Sequence, residues 1–222
     1  MSDDLPSDSE AGPNETGPGE TAPGETAPGE TAPSGRATAG EPTAARRLPG
    51  DPTKAQTIDR IIRVDHAGEY GAKRIYEGQL AMLQGKPEAA VVRRMYEQEL
   101  QHLQEFERLM VERRARPSLL HPVWHVAGFA LGAATAFLGP KAAMACTVAV
   151  EEVIDEHYRQ QGEQLGSDEQ PLKATIEKFR GEEVHHRDTG LAHGAEQAPA
   201  YPALTRAIKT GSRIAIWLAE RI

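Results

Sequence analysis

The positions of apolar residues predict that this chain is built from helices. After residue 50, apolar side chains recur every three or four positions, which is the spacing of one face of an α-helix. Glycine and proline interrupt the pattern and mark where the helices end. The predicted helices cover residues 55–83, 87–114, 119–138, 141–165, 171–194 and 203–221. We therefore expect an all-α fold.

Two of these helices carry a glutamate and a histidine three residues apart within an otherwise apolar stripe. The pairs are Glu99 with His102 and Glu183 with His186. Residues three apart lie on one face of a helix, so both side chains of a pair can reach the same metal ion. A third match, Glu182 with His185, falls on the polar face of its helix. A buried carboxylate without a partner is costly, and a metal ion would remove that cost.

Two further helices each carry a glutamate on their apolar face, at Glu69 and Glu151. Each is followed seven residues later by a tyrosine, Tyr76 or Tyr158, and seven residues are about two helical turns. The order Glu-x6-Tyr and then Glu-x-x-His occurs twice, with its two glutamates 30 residues apart in the first copy and 32 in the second. The pattern predicts two helical hairpins of one design.

Four glutamates and two histidines in this order form the ligand set of di-iron and di-manganese carboxylate bundles. The predicted metal ligands are Glu69, Glu99, His102, Glu151, Glu183 and His186. Oxygen and nitrogen ligands with open positions suit iron that activates oxygen better than they suit zinc. The single cysteine, Cys146, excludes a cysteine-based zinc or iron–sulfur site within one chain. The alternative, a set of salt bridges, would need lysine or arginine on these stripes, and there is none.

Several polar residues near the predicted ligands are candidates for supporting roles. We expect Asp65, Glu182 and Asp188 to orient the histidine rings of the site. Tyr158 is the predicted catalytic residue, because it and His157 are candidates to relay electrons or protons. The alternative is that Tyr158 packs in the core and His157 lies at the surface.

Residues 119–138 are apolar on all sides of the predicted helix. A membrane-spanning helix needs about 20 apolar residues, and this run is shorter and contains His125. We predict instead the long crossover connection of a ferritin-like four-helix bundle. Its outer face would meet lipid, another subunit or a hydrophobic substrate. A plain core helix is the alternative.

The extra C-terminal helix, residues 203–221, combines basic and apolar side chains. Arg206, Lys209 and Arg213 lie near Trp217 and Leu218. This combination suits a helix lying on a membrane surface. A helix that caps the bundle explains it equally well.

Residues 1–50 differ in composition from the rest of the chain. The sequence Gly-Glu-Thr-Ala-Pro occurs three times between Gly19 and Pro33, and proline at every fifth position forbids a helix. We predict a disordered acidic tail before a folded domain at 51–222. The tail accounts for most of the formal charge of −8, so the domain is nearly neutral and nucleic acid is not an expected partner. The tail has no apolar signal segment, and its acidity argues against a mitochondrial transit peptide.

Three long stretches of the chain resemble the demethoxyubiquinone hydroxylases of ubiquinone biosynthesis. They are residues 59–76, with the sequence Asp-His-Ala-Gly-Glu-Tyr-Gly-Ala at 65–72, residues 143–152 and residues 190–201. The similarity covers about residues 56–222, and the tail differs from the usual start of the family. The resemblance implies a ferritin-like di-iron monooxygenase with the same six metal ligands that the spacing predicts.

The resemblance also implies a reaction and a location. The ring of demethoxyubiquinol would be hydroxylated by molecular oxygen, with electrons from a reduced nicotinamide or from the quinol itself. The protein would lie peripherally on the membrane that holds the quinone pool, which we expect to be the cytoplasmic side of a bacterial inner membrane. Other ubiquinone-biosynthesis proteins and a second copy of this chain are further candidate partners.

Two other functions would use the same sequence features. A relative of ferritin that stores iron or reduces peroxide would keep the six ligands, but would not need the apolar crossover or the C-terminal helix. A scaffold that holds quinone-pathway proteins at the membrane would need no intact metal ligands.

Overall fold

The computed structural model describes residue 48 and residues 50–222, and this part of the chain is helical throughout. Its α-helices are α1 (Lys54–Met82), α2 (Glu88–Arg113), α3 (His121–Phe137), α4 (Pro140–Gln164), α5 (Gln170–Ala192) and α6 (Tyr201–Ala219). Two single-turn 3-10 helices, Ser167–Glu169 and Ala195–Gln197, precede α5 and α6. The all-α prediction is confirmed. The predicted tail lies outside the described residues except for positions 48 and 50, so the domain boundary stays a prediction.

Local side-chain chemistry explains where the helices begin. Thr53 caps α1, because its hydroxyl accepts the Gln56 backbone N–H while the Gln56 side chain accepts the Thr53 backbone N–H. Helices α3, α4, α5 and α6 all have proline in their first turn, where its missing N–H costs nothing. The crossover helix begins at residue 121, two residues later than predicted, and the last helix at residue 201, two residues earlier.

The helices form two hairpins joined by a crossover. Helix α1 packs on α2, and α4 packs on α5, while α3 lies along α1 and leads from the first hairpin to the second. Helix α6 packs against α4 and, over a smaller area, against α1. The predicted four-helix arrangement with a crossover and an extra C-terminal helix is present. The closer description ferritin-like stays a prediction.

Two apolar clusters fill the space between the hairpins. The first contains Tyr76, Leu83, Val92, Met95, Met144 and Val148, with several alanines of α4. The second contains Ile58, Ile62, Phe106, Tyr158, Leu172, Ile176 and Phe179. Along α1, α2 and α4, the predicted metal ligands fall between residues of the two clusters, and on α5 they follow the second cluster. The core therefore encloses a polar layer between two apolar ones.

Glycine allows α3 to approach α1 closely. A Cβ atom at Gly132 would lie 1.9 Å from the backbone oxygen of Ile75, and one at Gly128 would lie 2.8 Å from the backbone oxygen of Gly71. On the facing helix, a Cβ at Gly78 would lie 2.2 Å from the oxygen of Phe129. The two backbones are thus in direct contact, and no other residue type fits at these positions.

The outer face of α3 is apolar and exposed. Val123, Val126, Phe137 and Leu138 are between 51% and 77% exposed, so the alternative of a plain core helix is wrong. Among the described helices, none is both long and apolar enough to cross a lipid bilayer.

Helix α6 has one packed and one exposed face. Ile208 packs in a cluster with Cys146 and Val150 of α4, whereas Ile214 and Trp217 are more than half exposed. The helix therefore caps the bundle and also presents an apolar edge to the outside.

We predict that Gly132→Ala lowers the free energy of unfolding by about 1–3 kcal/mol, because the new methyl group would overlap the α1 backbone. Urea denaturation followed by circular dichroism measures the change. Gly181→Ala on α5 is the matched control, since its Cβ would meet no atom within 4 Å. That variant should be neutral or more stable by roughly 0.5–1 kcal/mol. Equal stability of the two variants would contradict the close approach.

Candidate metal centre

The structure brings all six predicted metal ligands together between the two hairpins. Each is at most 3% exposed: Glu69 on α1, Glu99 and His102 on α2, Glu151 on α4, and Glu183 and His186 on α5. Two overlapping groups of four have ligand atoms within 4.8 Å of one another. One contains Glu69 and His102, the other contains Glu151 and His186, and both contain Glu99 and Glu183. This is an arrangement for two ions with two shared carboxylates.

The histidine rings point the same nitrogen atom into the cluster. His102 Nδ1 lies 2.9 Å from Glu183 Oε1 and 3.5 Å from Glu69 Oε2. His186 Nδ1 lies 3.0 Å from Glu183 Oε2 and 3.1 Å from Glu99 Oε1. The Nδ1 atoms are therefore the ones that face a metal position, and the Nε2 atoms point outward.

Each outward Nε2 atom meets an acceptor from the other hairpin. His102 Nε2 is 2.7 Å from Glu182 Oε2, and His186 Nε2 is 3.1 Å from Gln98 Oε1. Glu182 and Gln98 immediately precede the shared glutamates Glu183 and Glu99 in sequence. Each side chain therefore reaches from its own helix, α5 or α2, to the histidine on the other of these two helices. The predicted contact of Glu182 is confirmed, whereas Gln98 was not predicted, although its position before Glu99 matches that of Glu182 before Glu183.

The two tyrosines also reach across between the hairpins. The Tyr76 hydroxyl donates to Glu151 Oε1 at 3.0 Å, and the Tyr158 hydroxyl donates to Glu69 Oε1. The Glu-x6-Tyr spacing places each tyrosine on the face of its own glutamate, but the hydrogen bond goes to the glutamate of the other hairpin. Tyr158 is buried and touches a predicted ligand, and its catalytic role stays a prediction.

Two of the predicted orienting residues do not contact a ligand ring. Asp65 is buried and accepts a 2.6 Å hydrogen bond from Gln161 Nε2, with His157 Nε2 at 3.6 Å. Asp188 is exposed and pairs with its neighbour Arg187. The predictions for Asp65 and Asp188 were wrong, because one is held by α4 and the other points to the surface.

Burial sets the protonation of the cluster. It raises the pKa of Glu99 and of Glu151 well above the ordinary value, and the charge of Glu183 adds to the effect in both. Burial would also raise the pKa of Glu183, but the close His102 and His186 rings outweigh this effect and lower the pKa to about 2. For His102, burial favours the neutral ring, yet the close carboxylates of Glu183 and Glu69 raise its pKa to about 12.

The polar atoms of the cluster are poorly satisfied by the protein. Both carboxylate oxygens of Glu99 and Nδ1 of His102 are buried without a hydrogen bond of acceptable geometry. Four carboxylates face two imidazoles, and among the described residues the only other donors on them are two tyrosine hydroxyls. Two divalent cations would neutralise four carboxylates and supply the missing partners for these atoms. The residues therefore fit a pair of metal ions.

An apolar pocket of about 350 Å³ opens beside the cluster, between α1, α3 and α6. Its walls are formed mainly by small and aliphatic residues, with Trp124 and Ile216 among them. Val64, Gly68 and Ile154 line this pocket and also the small cavity of about 20 Å³ that borders Glu69 and Tyr158. The pocket thus leads from the crossover helix toward the predicted ligands.

Comparisons with known proteins identify a matching family model and several relatives of this chain. The family model described as "Ubiquinone biosynthesis protein COQ7" matches residues 56–219. A Rhodospirillum rubrum protein named 3-demethoxyubiquinol 3-hydroxylase is 61% identical over 181 residues, which are 81% of this chain and 85% of that protein. The mouse protein named NADPH-dependent 3-demethoxyubiquinone 3-hydroxylase, mitochondrial, is 52% identical over 77% of this chain and 81% of its own.

We predict that the metal-free protein releases protons when it takes up Mn²⁺. His102 keeps its proton at neutral pH because its pKa is about 12, and a metal ion binds only the deprotonated ligands. The affinity should therefore weaken as the pH falls, by about tenfold per pH unit for each proton released. Titration in weak buffer with a pH indicator measures the release.

The matched control is His185→Gln, which changes an exposed histidine on α5 next to the predicted ligand His186. This variant should release as many protons as the unchanged chain. Uptake of Mn²⁺ without acidification, and with an affinity independent of pH, would contradict the proposed protonation of His102.

Proposed function

Because the chain belongs to the ubiquinone biosynthesis protein COQ7 family, we propose that it hydroxylates the ring of demethoxyubiquinol with molecular oxygen. The bacterial relative at 61% identity carries the name of this activity, and the similarity covers most of both chains. One structural observation supports a metal-dependent reaction: the buried potential ligands form two overlapping sets of four. The protein is then an oxidoreductase of ubiquinone biosynthesis.

Two iron ions would be held by Glu69, Glu99, His102, Glu151, Glu183 and His186. When bound, they supply electrons to dioxygen, so that one oxygen atom enters the ring as a hydroxyl group and the other leaves as water. Glu99 and Glu183 belong to both groups of ligands and would be available to either ion. The nitrogen and oxygen donors, and the burial of the only cysteine, support iron over a thiolate-seeking metal.

The protein side chains position the ligands and control protons. The hydroxyl groups of Tyr76 and Tyr158 hold Glu151 and Glu69 in place. We assign Tyr158 as the catalytic residue that passes a proton or an electron, because its hydroxyl donates to Glu69 and both residues line the small cavity beside the apolar pocket. The apolar clusters on both sides keep water from the reacting groups.

The apolar pocket is the proposed site for the substrate. Its width and its lining of glycine, alanine and branched aliphatic residues suit an isoprenoid chain, and its inner end is shared with the cavity beside Glu69. In this arrangement the quinol ring meets the metal centre while the tail runs out between α3 and α6. Ferritin-like iron storage, the alternative function, leaves such a pocket without a use.

The electron source and the location complete the proposal. Relatives from mouse and Dictyostelium discoideum are named NADPH-dependent, so a reduced nicotinamide is one source, and the quinol itself is the other. The exposed apolar residues of α3 and α6 would rest in the cytoplasmic surface of a bacterial inner membrane, close to the basic Arg206 and Arg213. Other ubiquinone-biosynthesis proteins and a second copy of the chain are proposed further partners.

We predict that the gene restores ubiquinone in bacterial cells lacking the hydroxylation step, and that His102→Ala abolishes the rescue. Removal of this imidazole takes one ligand from the first metal position. Chromatography of quinone extracts gives the ratio of ubiquinone to demethoxyubiquinone. Glu177→Gln, an exposed change on α5, should rescue fully. Rescue by His102→Ala at an equal protein level would contradict the proposed catalysis.

We predict that replacing Val126 and Phe137 together by Asp prevents binding to liposomes. Both side chains are exposed and lie on one face of α3, where a carboxylate would oppose insertion into lipid. Flotation with vesicles containing anionic lipid measures binding. Val111→Asp on α2 is the control, because Val111 is 81% exposed on a different helix. Equal flotation of the two variants would reject α3 as the membrane-binding face.

A further inference from the structure

We propose that Gln98 and Glu182 are positioning residues that make the two metal positions unequal, with the tighter position at His102. This inference rests on the proposed function, because it concerns the same pair of ions. The two residues occupy equivalent places, since each stands directly before a shared glutamate and each accepts from the outward nitrogen of a histidine on the opposite helix.

The rest of the site is nearly symmetric between the hairpins. Each position has one histidine and one unshared glutamate, and each unshared glutamate accepts a tyrosine hydroxyl from the other hairpin. The remaining two carboxylates belong to both groups of ligands. The ligand sets themselves therefore do not distinguish one ion from the other.

The outer acceptors break this symmetry by their charge. Glu182 offers a carboxylate oxygen to His102 at 2.7 Å, whereas Gln98 offers a neutral amide oxygen to His186 at 3.1 Å. A hydrogen bond to an ionised acceptor is shorter and stronger than one to a neutral acceptor. An imidazole that donates to a carboxylate becomes the more basic ligand and stabilises a higher charge on its metal.

Other groups around the His102 ring leave this difference in charge in place. Phe179 stacks on the His102 ring with centroids 4.1 Å apart, and it carries no charge. Lys178 lies 3.9 Å from the second oxygen of Glu182 and leaves the first oxygen free to accept from His102. Among the described residues, Gln98 and Glu182 are the acceptors at the two Nε2 atoms, and they differ in charge. Glu182 therefore strengthens the His102 position, and Gln98 leaves the His186 position weaker.

The test is a titration of the metal-free full chain, read by calorimetry with Mn²⁺ and by the NMR signals of ¹⁵N-labelled histidines with diamagnetic Zn²⁺. The unchanged chain should bind two ions in separate steps, and the His102 signal should shift before that of His186. Glu182→Gln should weaken the first step by roughly tenfold or more and bring the two steps together. Gln98→Glu should strengthen the second step by a similar factor.

The exchanged pair gives the sharpest result. In the double variant Gln98→Glu with Glu182→Gln, two separate steps should return with their order reversed, so that the His186 signal shifts first. A general loss of packing would not reverse the order. Glu177→Gln on α5 is the control, because it removes the same charge from an exposed position and should leave both steps unchanged.

The outcomes separate this inference from the proposed function. Two ions that bind with unchanged affinities and order in Glu182→Gln and in Gln98→Glu would overturn the inference and leave the metal centre intact. An unchanged chain that binds no Mn²⁺ and no ferrous iron would overturn both. If circular dichroism shows that Glu182→Gln does not fold, the test is the affinity of the second ion in Gln98→Glu. An affinity equal to that of the unchanged chain would reject the proposal.

Discussion

The mutual repulsion of four buried carboxylates is the constraint on which the rest of this structure depends. Glu69, Glu99, Glu151 and Glu183 lie within one layer of the core, and apolar side chains exclude water on both sides. Without compensation such a cluster would separate the helices. The protein compensates in part with a protonated His102, with raised pKa values at Glu99 and Glu151, and with two tyrosine hydroxyls. Two metal ions would complete the compensation.

The tyrosine hydroxyls and the outer acceptors of the histidine rings come from the opposite hairpin. The Tyr76 hydroxyl of the first hairpin donates to Glu151 of the second, and the Tyr158 hydroxyl of the second hairpin donates to Glu69 of the first. The outer acceptors of the histidine rings are exchanged in the same way. Each hairpin therefore carries unsatisfied polar groups that only the other hairpin can satisfy, and the polar layer specifies how the two are aligned.

The helices and the buried positions of the six predicted ligands could be predicted from the sequence, because both depend on local periodicity. The apolar stripe of α5 includes Glu183 and not Glu182, so the sequence predicted Glu183 as the buried residue. The structure agrees, because Glu183 is buried and Glu182 is only partly buried. The exchange of partners could not be predicted in this way, because spacing along a helix says nothing about which neighbouring helix lies opposite. Asp65 has a local pattern typical of a ligand-orienting residue, yet Gln161 of α4 binds it instead.

The exchanged contacts also bear on the order in which the chain folds. The groups that meet in the polar layer come from residues as far apart as Glu69 and Glu183, so each hairpin can form early while the layer must wait for a long loop to close. An ion that binds only the completed layer acts late in folding. It stabilises the docked hairpins relative to the undocked chain by mass action. Nascent chains short of metal would therefore populate a loosely docked intermediate, which exposes the apolar inner faces of both hairpins to chaperones and proteases.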